Sequence, residues 1–202
     1  ASDFDSFKPQ PGMGTVLLSM YEHPYCTTVE SDQYGCSWTV VEYLKNAGHR
    51  NIRFVAGPSY SIDSNFRQKG WQDALSHFGL PVVQPLAGNW LADSGYEIGC
   101  KLSADTEMTA IYSANDQMAF GIISALQDRG IRVPEDVSVV GVDDSLEGYI
   151  PHCNLTTIRF DLLKRGRTAF EHALLGRKPG YTPETVRIPG RLIVRDTVRN
   201  LH

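Results

Sequence analysis

The sequence predicts an α/β fold, a doubly wound parallel sheet with helices on both faces, on three observations. Short apolar, β-branched runs recur along the chain, and the strongest, Val137–Gly141 (VSVVG), has the character of a strand buried on both sides. Between such runs lie segments with apolar residues at helical spacing, such as Trp38, Val41 and Leu44. Glycine closes several of these segments, as helix-ending signals do. Strands alternating with helices of this length imply βαβ units, and their crossovers cover a parallel sheet.

The elements follow in order. Thr15–Ser19 (TVLLS) is the first expected strand, and Gly35–Ala47 carries the helical stripe just named before stopping at Gly48-His49. Ile52–Ala56 (IRFVA) is a strand ending in Gly57-Pro58. Ser64–Phe78 reads as a helix with Phe66, Gly70, Ala74 and Phe78 on one side. Val82–Pro85 is expected as a short strand, and Asp93–Leu102 as a helix capped by Asp93. Ala110–Ser113 is a strand that runs into Asn115-Asp116 and a helix through Asp128, with Gly130 and Pro134 ending it. After Val137–Gly141 come a strand at Thr156–Phe160 and a helix at Asp161–Leu175 closed by Gly176. The tail, Thr185–Arg195, reads as two β segments broken by Pro189-Gly190.

Composition narrows the class. A chain of 202 residues holds one large domain or two small lobes, and 42% hydrophobic with 21% charged residues is ordinary for a globular protein rather than a disordered one. The net charge of −4 argues weakly against direct nucleic-acid binding, which usually needs a basic face. Cys26, Cys36, Cys100 and Cys153 lack metal-ligand spacing and read as free thiols of a reducing compartment. No apolar run approaches the roughly twenty residues that span a bilayer. Residues 1–14, ASDFDSFKPQPGMG, show no export signal and read as a flexible lead-in. Lacking an initiator Met, the chain is expected to be a fragment of something longer.

In open α/β sheets ligands bind beyond the carboxyl ends of the strands. The loops there contain Asp32, the segment Pro58–Arg67, Asn89-Trp90, Asn115-Asp116, Asp143-Asp144 and Phe160-Asp161. Carboxylates, amides, one arginine and one indole suit a neutral, hydroxyl-rich ligand, because the polar groups bond hydroxyls and an indole stacks on a sugar's apolar face. Plainer accounts exist for each. Asp143-Asp144 and Asn115-Asp116 are also cap residues, Trp90 is also a packing residue, and Arg67 is also an ordinary solvated charge. No nucleophile elbow, phosphate-binding loop or zinc-binding H-E-x-x-H is present, and the six histidines form no set. Asp143-Asp144 could be imagined as a glycoside-cleaving pair, but neighbours in sequence tend to point apart. The reading is a binding protein with no catalytic residues, no metal and no cofactor.

The order of motifs resembles the lactose- and galactose-repressor family (LacI-type transcription regulators). The segment YSANDQMAFGIISALQDRGIRVPEDVSVVGVDD (Tyr112–Asp144) carries the likeness most strongly. VAGPSYSIDSNFRQKGW (Val55–Trp71), GNWLADSGY (Gly88–Tyr96), LTTIRFD (Leu155–Asp161) and PGRLIVRDT (Pro189–Thr197) complete it, from about Val16 onward. The resemblance implies a periplasmic-binding-protein-like (type I) sugar-binding fold, with a saccharide held between two lobes. It implies effector-binding roles for Arg67, Trp90, Asn115, Asp143 and Asp63, with Phe160 as an apolar wall. It further implies one essentially complete lobe, 31–158 with 191–202, and remnants of another at 15–30 and 160–190. The family's DNA-binding helix-turn-helix is absent from this chain, so operator DNA would be reached only through that absent domain.

Two departures matter. Most of the first lobe is missing, and Leu17-Leu18-Ser19 stands where many sugar-binding relatives have an aspartate. By analogy the chain forms a homodimer through Leu91–Gly95, Phe120–Ser124 and Leu146–Cys153, in the cytoplasm and away from membranes. A periplasmic sugar-binding protein of a transporter is the alternative reading, and a glycoside-acting enzyme a distant third.

Overall fold

The computed structural model describes residues 4, 6–10, 12–150 and 152–202, so the expected lead-in falls partly outside the described residues. The elements are β1 (Val16–Leu17), β2 (Thr27–Ser31), α1 (Gln33–Asn46), β3 (Ile52–Ala56), α2 (Ile62–His77), β4 (Leu86–Ala87) and α3 (Ala92–Leu102). They continue with β5 (Ala110–Ser113), α4 (Asp116–Gln127), β6 (Ser138–Val142), β7 (Thr156–Arg159), α5 (Leu162–Leu175), β8 (Thr185–Ile188) and β9 (Arg191–Ile193). The chain divides into two compact units, residues 1–32 with 160–190, and residues 33–159 with 191–202.

The larger unit is built on a six-stranded sheet in the order β4-β3-β5-β6-β7-β9. All pairings are parallel except the last, in which β9 runs antiparallel to β7. Every residue of β5 and β6 is buried, as expected of apolar runs covered on both faces. The connection from β3 through α2 to β4 moves one way across the sheet, and that from β5 through α4 to β6 moves the other. Right-handed crossovers in opposite directions place their helices on opposite faces, which makes the sheet doubly wound. Helix α1 packs on α2, and α3 on α4. The core includes an aromatic layer in which Phe54 stacks on Trp71 at 5.4 Å and meets Tyr112 at 4.9 Å, all three at most 2% exposed.

The smaller unit has a three-stranded parallel sheet, β1-β2-β8, with α5 alongside β1 and β2. Strand β2 reads TTVES, too polar to be recognised as a strand, yet it is central and mostly buried. Its threonines are matched across the sheet, Thr28 Oγ1 donating to Thr185 Oγ1 at 3.2 Å.

Two expectations need correction. Val82–Pro85 is not a strand; pairing with β3 begins only at Leu86, after Pro85, which lacks the N–H a ladder needs. Asp93 does not cap α3: the cap position is Leu91, and Ser94 organises the turn by accepting from Asn89 N–H and donating to Leu91 O. The sheet is parallel except for β9, and the two tail segments join different sheets, β8 in the smaller unit and β9 in the larger. Among the described residues no helix is long and apolar enough to cross a membrane.

Candidate functional site

The topological switch of the larger sheet lies where the connections leaving β3 and β5 diverge, and open α/β sheets bind ligands in that crevice. A cavity of about 370 Å³ opens there, lined by Ser61, Asp63, Arg67, Trp90, Asn115, Gln117 and Asp143. The volume lies in the ~300–1,000 Å³ range of small-molecule sites. The segments after four strands each supply a part: Ser61 with Asp63 and Arg67 at the start of α2 follow β3, Trp90 follows β4, Asn115 with Gln117 at the start of α4 follow β5, and Asp143 follows β6.

Arg67 is the anchor. It sits in the second turn of α2 and is only 4% exposed, so it is not the solvated charge that its sequence position also allowed. Its Nε donates to Gln33 Oε1 at 2.8 Å, Nη1 to the carbonyl of Ala114, and Nη2 to Asp143 Oδ1 at 3.2 Å. Burial pulls the guanidinium down, but Asp143, aided by Cys36, Tyr112 and Asp63, holds it above its ordinary value. A buried arginine fixed by three acceptors is a rigid donor with its direction set in advance, which lowers the cost of ordering it around a ligand.

Trp90 is held from two sides. Asn115 Nδ2 donates to its carbonyl at 2.9 Å, and its backbone takes the left-handed conformation, φ 76°. The indole lies so close to Gly57 that a Cβ there would fall 2.4 Å from ring carbons, so the glycine before Pro58 makes room for the ring. The Arg67 guanidinium lies 5.9 Å from the ring centroid, within cation–π reach.

Asn115 serves the fold as well as the cavity. Its Oδ1 accepts from Met118 N–H at 3.0 Å, capping α4, while Nδ2 reaches Trp90. For a ligand it has one further amide hydrogen and one further lone pair. Asp143 and Asp144 do point apart: Asp143 faces Arg67 and is 39% exposed, while the Asp144 side chain is 2% exposed and pairs with Arg159 and with Arg195 at 2.9 Å. Asp63 lies in the first turn of α2, a helix capped by Ser61. Phe160 belongs to the other compact unit and is not part of this cavity.

The sequence thus singled out five of the seven lining residues by name and Ser61 only within the segment Pro58–Arg67, and missed Gln117, along with Gln33 behind Arg67. Gln33 and Gln117 stand at helix starts, where a polar residue is unremarkable; only the period of α1, which turns Gln33 inward with Cys36 and Ser37, hinted at it. A second cavity, about 390 Å³, is lined by residues 147–150, His152, Cys153 and Arg195 and contains none of the expected site residues. Among the described residues no group of His, Cys, Asp and Glu could hold a metal ion.

Residues 41–198 match the periplasmic binding protein-like domain family. The lactose operon repressor of Escherichia coli K12 is 37% identical over 160 residues, 78% of this chain and 44% of that protein. A LacI family transcriptional regulator from Enterococcus faecium, solved with bound ribose, superposes with a TM-score of 0.77 at 26% identity, covering 93% of this chain and 71% of that one. A lac repressor dimer solved on its operator with an anti-inducer superposes at 0.80 and 28% identity, covering 91% and 56%. The chain spans about half the length of the curated relatives it matches, and these are transcription regulators rather than enzymes. The chain therefore belongs to the LacI-type transcription-regulator family, of which it carries the periplasmic binding protein-like, effector-binding region.

Proposed function

We propose that this chain is the effector-sensing part of a sugar-responsive bacterial transcriptional repressor of the cytoplasm. A saccharide is held in the cavity at the switch point and modulates operator binding by a helix-turn-helix outside the chain. One observation carries the reading: Asp63, Arg67, Trp90, Asn115 and Asp143, from the segments after four strands, line a single cavity. Its chemistry fits a polyol. Asp143 and Asn115 can each bond hydroxyls, Arg67 donates from a fixed direction, and Trp90 supplies a flat apolar face. The larger unit is the C-terminal lobe of the family's sensor, and the smaller one a part of its N-terminal lobe. Sugar acts only through its differential affinity for the conformations that do and do not favour operator binding.

The test is a thermal-shift screen of mono- and disaccharides with Arg67→Ala and Asp143→Ala alongside. One sugar should stabilise the protein selectively, by about 2.7 kcal/mol at a hundredfold excess over its Kd, and the stabilisation should vanish in both variants. No shift with any sugar, or a shift indifferent to both substitutions, overturns the reading.

The same reading gives a homodimer. Leu91, Tyr96 and Phe120 are 56%, 37% and 43% exposed on α3, α4 and the loop before them, apolar surface that a second copy would cover. Leu126, on the same helix as Phe120, is fully buried and belongs to the core instead. Sedimentation should show a dimer that Phe120→Asp shifts to monomer; a wild-type chain monomeric at high concentration counts against the interface.

A further inference from the structure

Between two residues that line the cavity, Asn115 and Gln117, stands a carboxylate that the binding reading does not use. Asp116, the first residue of α4, is 1% exposed. Its Oδ1 accepts from Thr157 Oγ1 on β7 at 2.6 Å, and its Oδ2 accepts from the backbone N–H of Ser145 at 2.8 Å. Gly141 on β6 leaves the space for it, since a Cβ there would stand 2.3 Å from Oδ1. One side chain thus joins α4, β7 and the loop after β6.

That loop is held in a conformation its residues do not prefer. Asp143 and Asp144 both have positive φ, 103° and 53°, which is costly for residues other than glycine and persists only where surroundings enforce it. The enforcing contacts are the Asp143 N–H to Ile158 O bond at 2.8 Å, the arginines on Asp144, and Asp116 on Ser145. Asp143 is the loop residue that faces the cavity.

We propose that Asp116 is a positioning residue for the cavity: its carboxylate holds the loop that presents Asp143, and taking up a proton loosens that hold. An ionised carboxylate accepts from both donors in charge-assisted hydrogen bonds, which are roughly twice as strong as neutral ones. A protonated one must place its own O–H, so Thr157 has to turn or Ser145 N–H is left with a weaker acceptor. Burial, and after it the bonds from Thr157 and Ser145, which act the other way, set the proton affinity; Asp143 and Asp144 raise it, and the result lies at about 7. The cations nearby, Arg159 on β7 and Arg195 after β9, are engaged by Asp144 and Glu147. As a regulation of effector binding this rests on the reading of the cavity given above, and it makes the site better ordered above pH 7 than below it.

The test needs no ligand, so its failure and the failure of the sugar screen are separate events. In ¹⁵N-labelled chain, the Ser145 and Asp143 amides and the Arg67 Nε–H should titrate together in one step near pH 7. Ser145 N–H should also lose protection from exchange, corrected for intrinsic rate, as pH falls from 8 to 6. Asp116→Asn should abolish the step, and Thr157→Val, which removes a donor to the ionised form, should move its midpoint upward. Flat resonances between pH 6 and 8.5, a step that survives Asp116→Asn, or a midpoint unmoved by Thr157→Val would overturn the proposal.

Discussion

Helices α4 and α5 obey the same local rules and meet different fates. Each has a side-chain cap, Asn115 accepting from Met118 N–H and Asp161 accepting from Lys164 N–H at 2.8 Å, and each carries an apolar stripe at helical spacing. Seven residues of α4 are buried, whereas α5 buries none. The sheets beneath them account for the contrast. Helix α4 lies in a unit with six strands and a second helix against it, and α5 lies on three strands, one of them only two residues long. Capping and periodicity make a helix; only tertiary partners bury it. The larger unit should therefore respond to core substitutions as a close-packed interior does, and the exposed face of α5 should not.

The largest effect is expected in the aromatic layer of the larger unit. Phe54→Ala removes a ring packed against Trp71 and Tyr112 and should cost about 3–5 kcal/mol in chemical denaturation. A cost under about 1 kcal/mol would mean that the layer collapses around the gap or is looser than a packed core.

Next comes the buried carboxylate. Only a unit with an extensive interior can keep Asp116 at 1% exposure, and its pKa is raised to about 7 from an unfolded value near ~3.9. The folded state then holds the proton more tightly than the unfolded chain does. The associated stabilisation is full below about pH 4 and is lost as pH rises through about 7. As pH rises from 5 to 8 this one group should lower stability by about 2–3 kcal/mol. Asp116→Asn, with nothing to titrate, should gain that amount relative to wild type over the same interval. Parallel pH profiles of the two proteins would refute the assignment.

The α3–α4 contact should give a somewhat smaller effect. A Cβ on Gly121 would stand 2.0 Å from the carbonyl oxygen of Ala92, so the helices must part to admit it. Gly121→Ala should cost about 1–3 kcal/mol, as overpacking does. A neutral or stabilising outcome would show that the two helices slide easily, and would weaken the contrast with α5.

These particulars also show what can be read from sequence. Strands β3, β5 and β6 and helices α1, α2 and α4 were legible because an apolar period survives wherever both faces of a sheet are covered. Strand β2 was not, because its burial rests on threonines satisfied by Thr185 across the sheet and by Tyr181 ahead of β8 rather than on an apolar run. Val82–Pro85 has the apolar character of a strand, but Val82 and Val83 are 46% and 39% exposed and pairing starts only after Pro85. At the site, Arg67, Trp90 and Asp143 were findable because each falls in a motif of the family resemblance and follows the carboxyl end of a strand. Gln33 and the clamp made by Asp116 were not, since their partners, Arg67, Ser145 and Thr157, lie 29 to 41 residues away in sequence.

The smallest expected effect is the sharpest test of the comparison. Leu163 and Phe170 stand 85% and 65% exposed on α5, whereas Ala169 and Ala173 are half-buried. Residues that bury little in the folded state have little to lose on truncation, so Leu163→Ala and Phe170→Ala should each change stability by no more than about 0.5 kcal/mol. Gly14 packs against the helix at Ala173, where a Cβ would stand 1.7 Å from the carbonyl oxygen. If either truncation cost more than about 1 kcal/mol, something in solution would have to cover that face. The difference between α4 and α5 would then lie in which partner buries each helix rather than in whether one does.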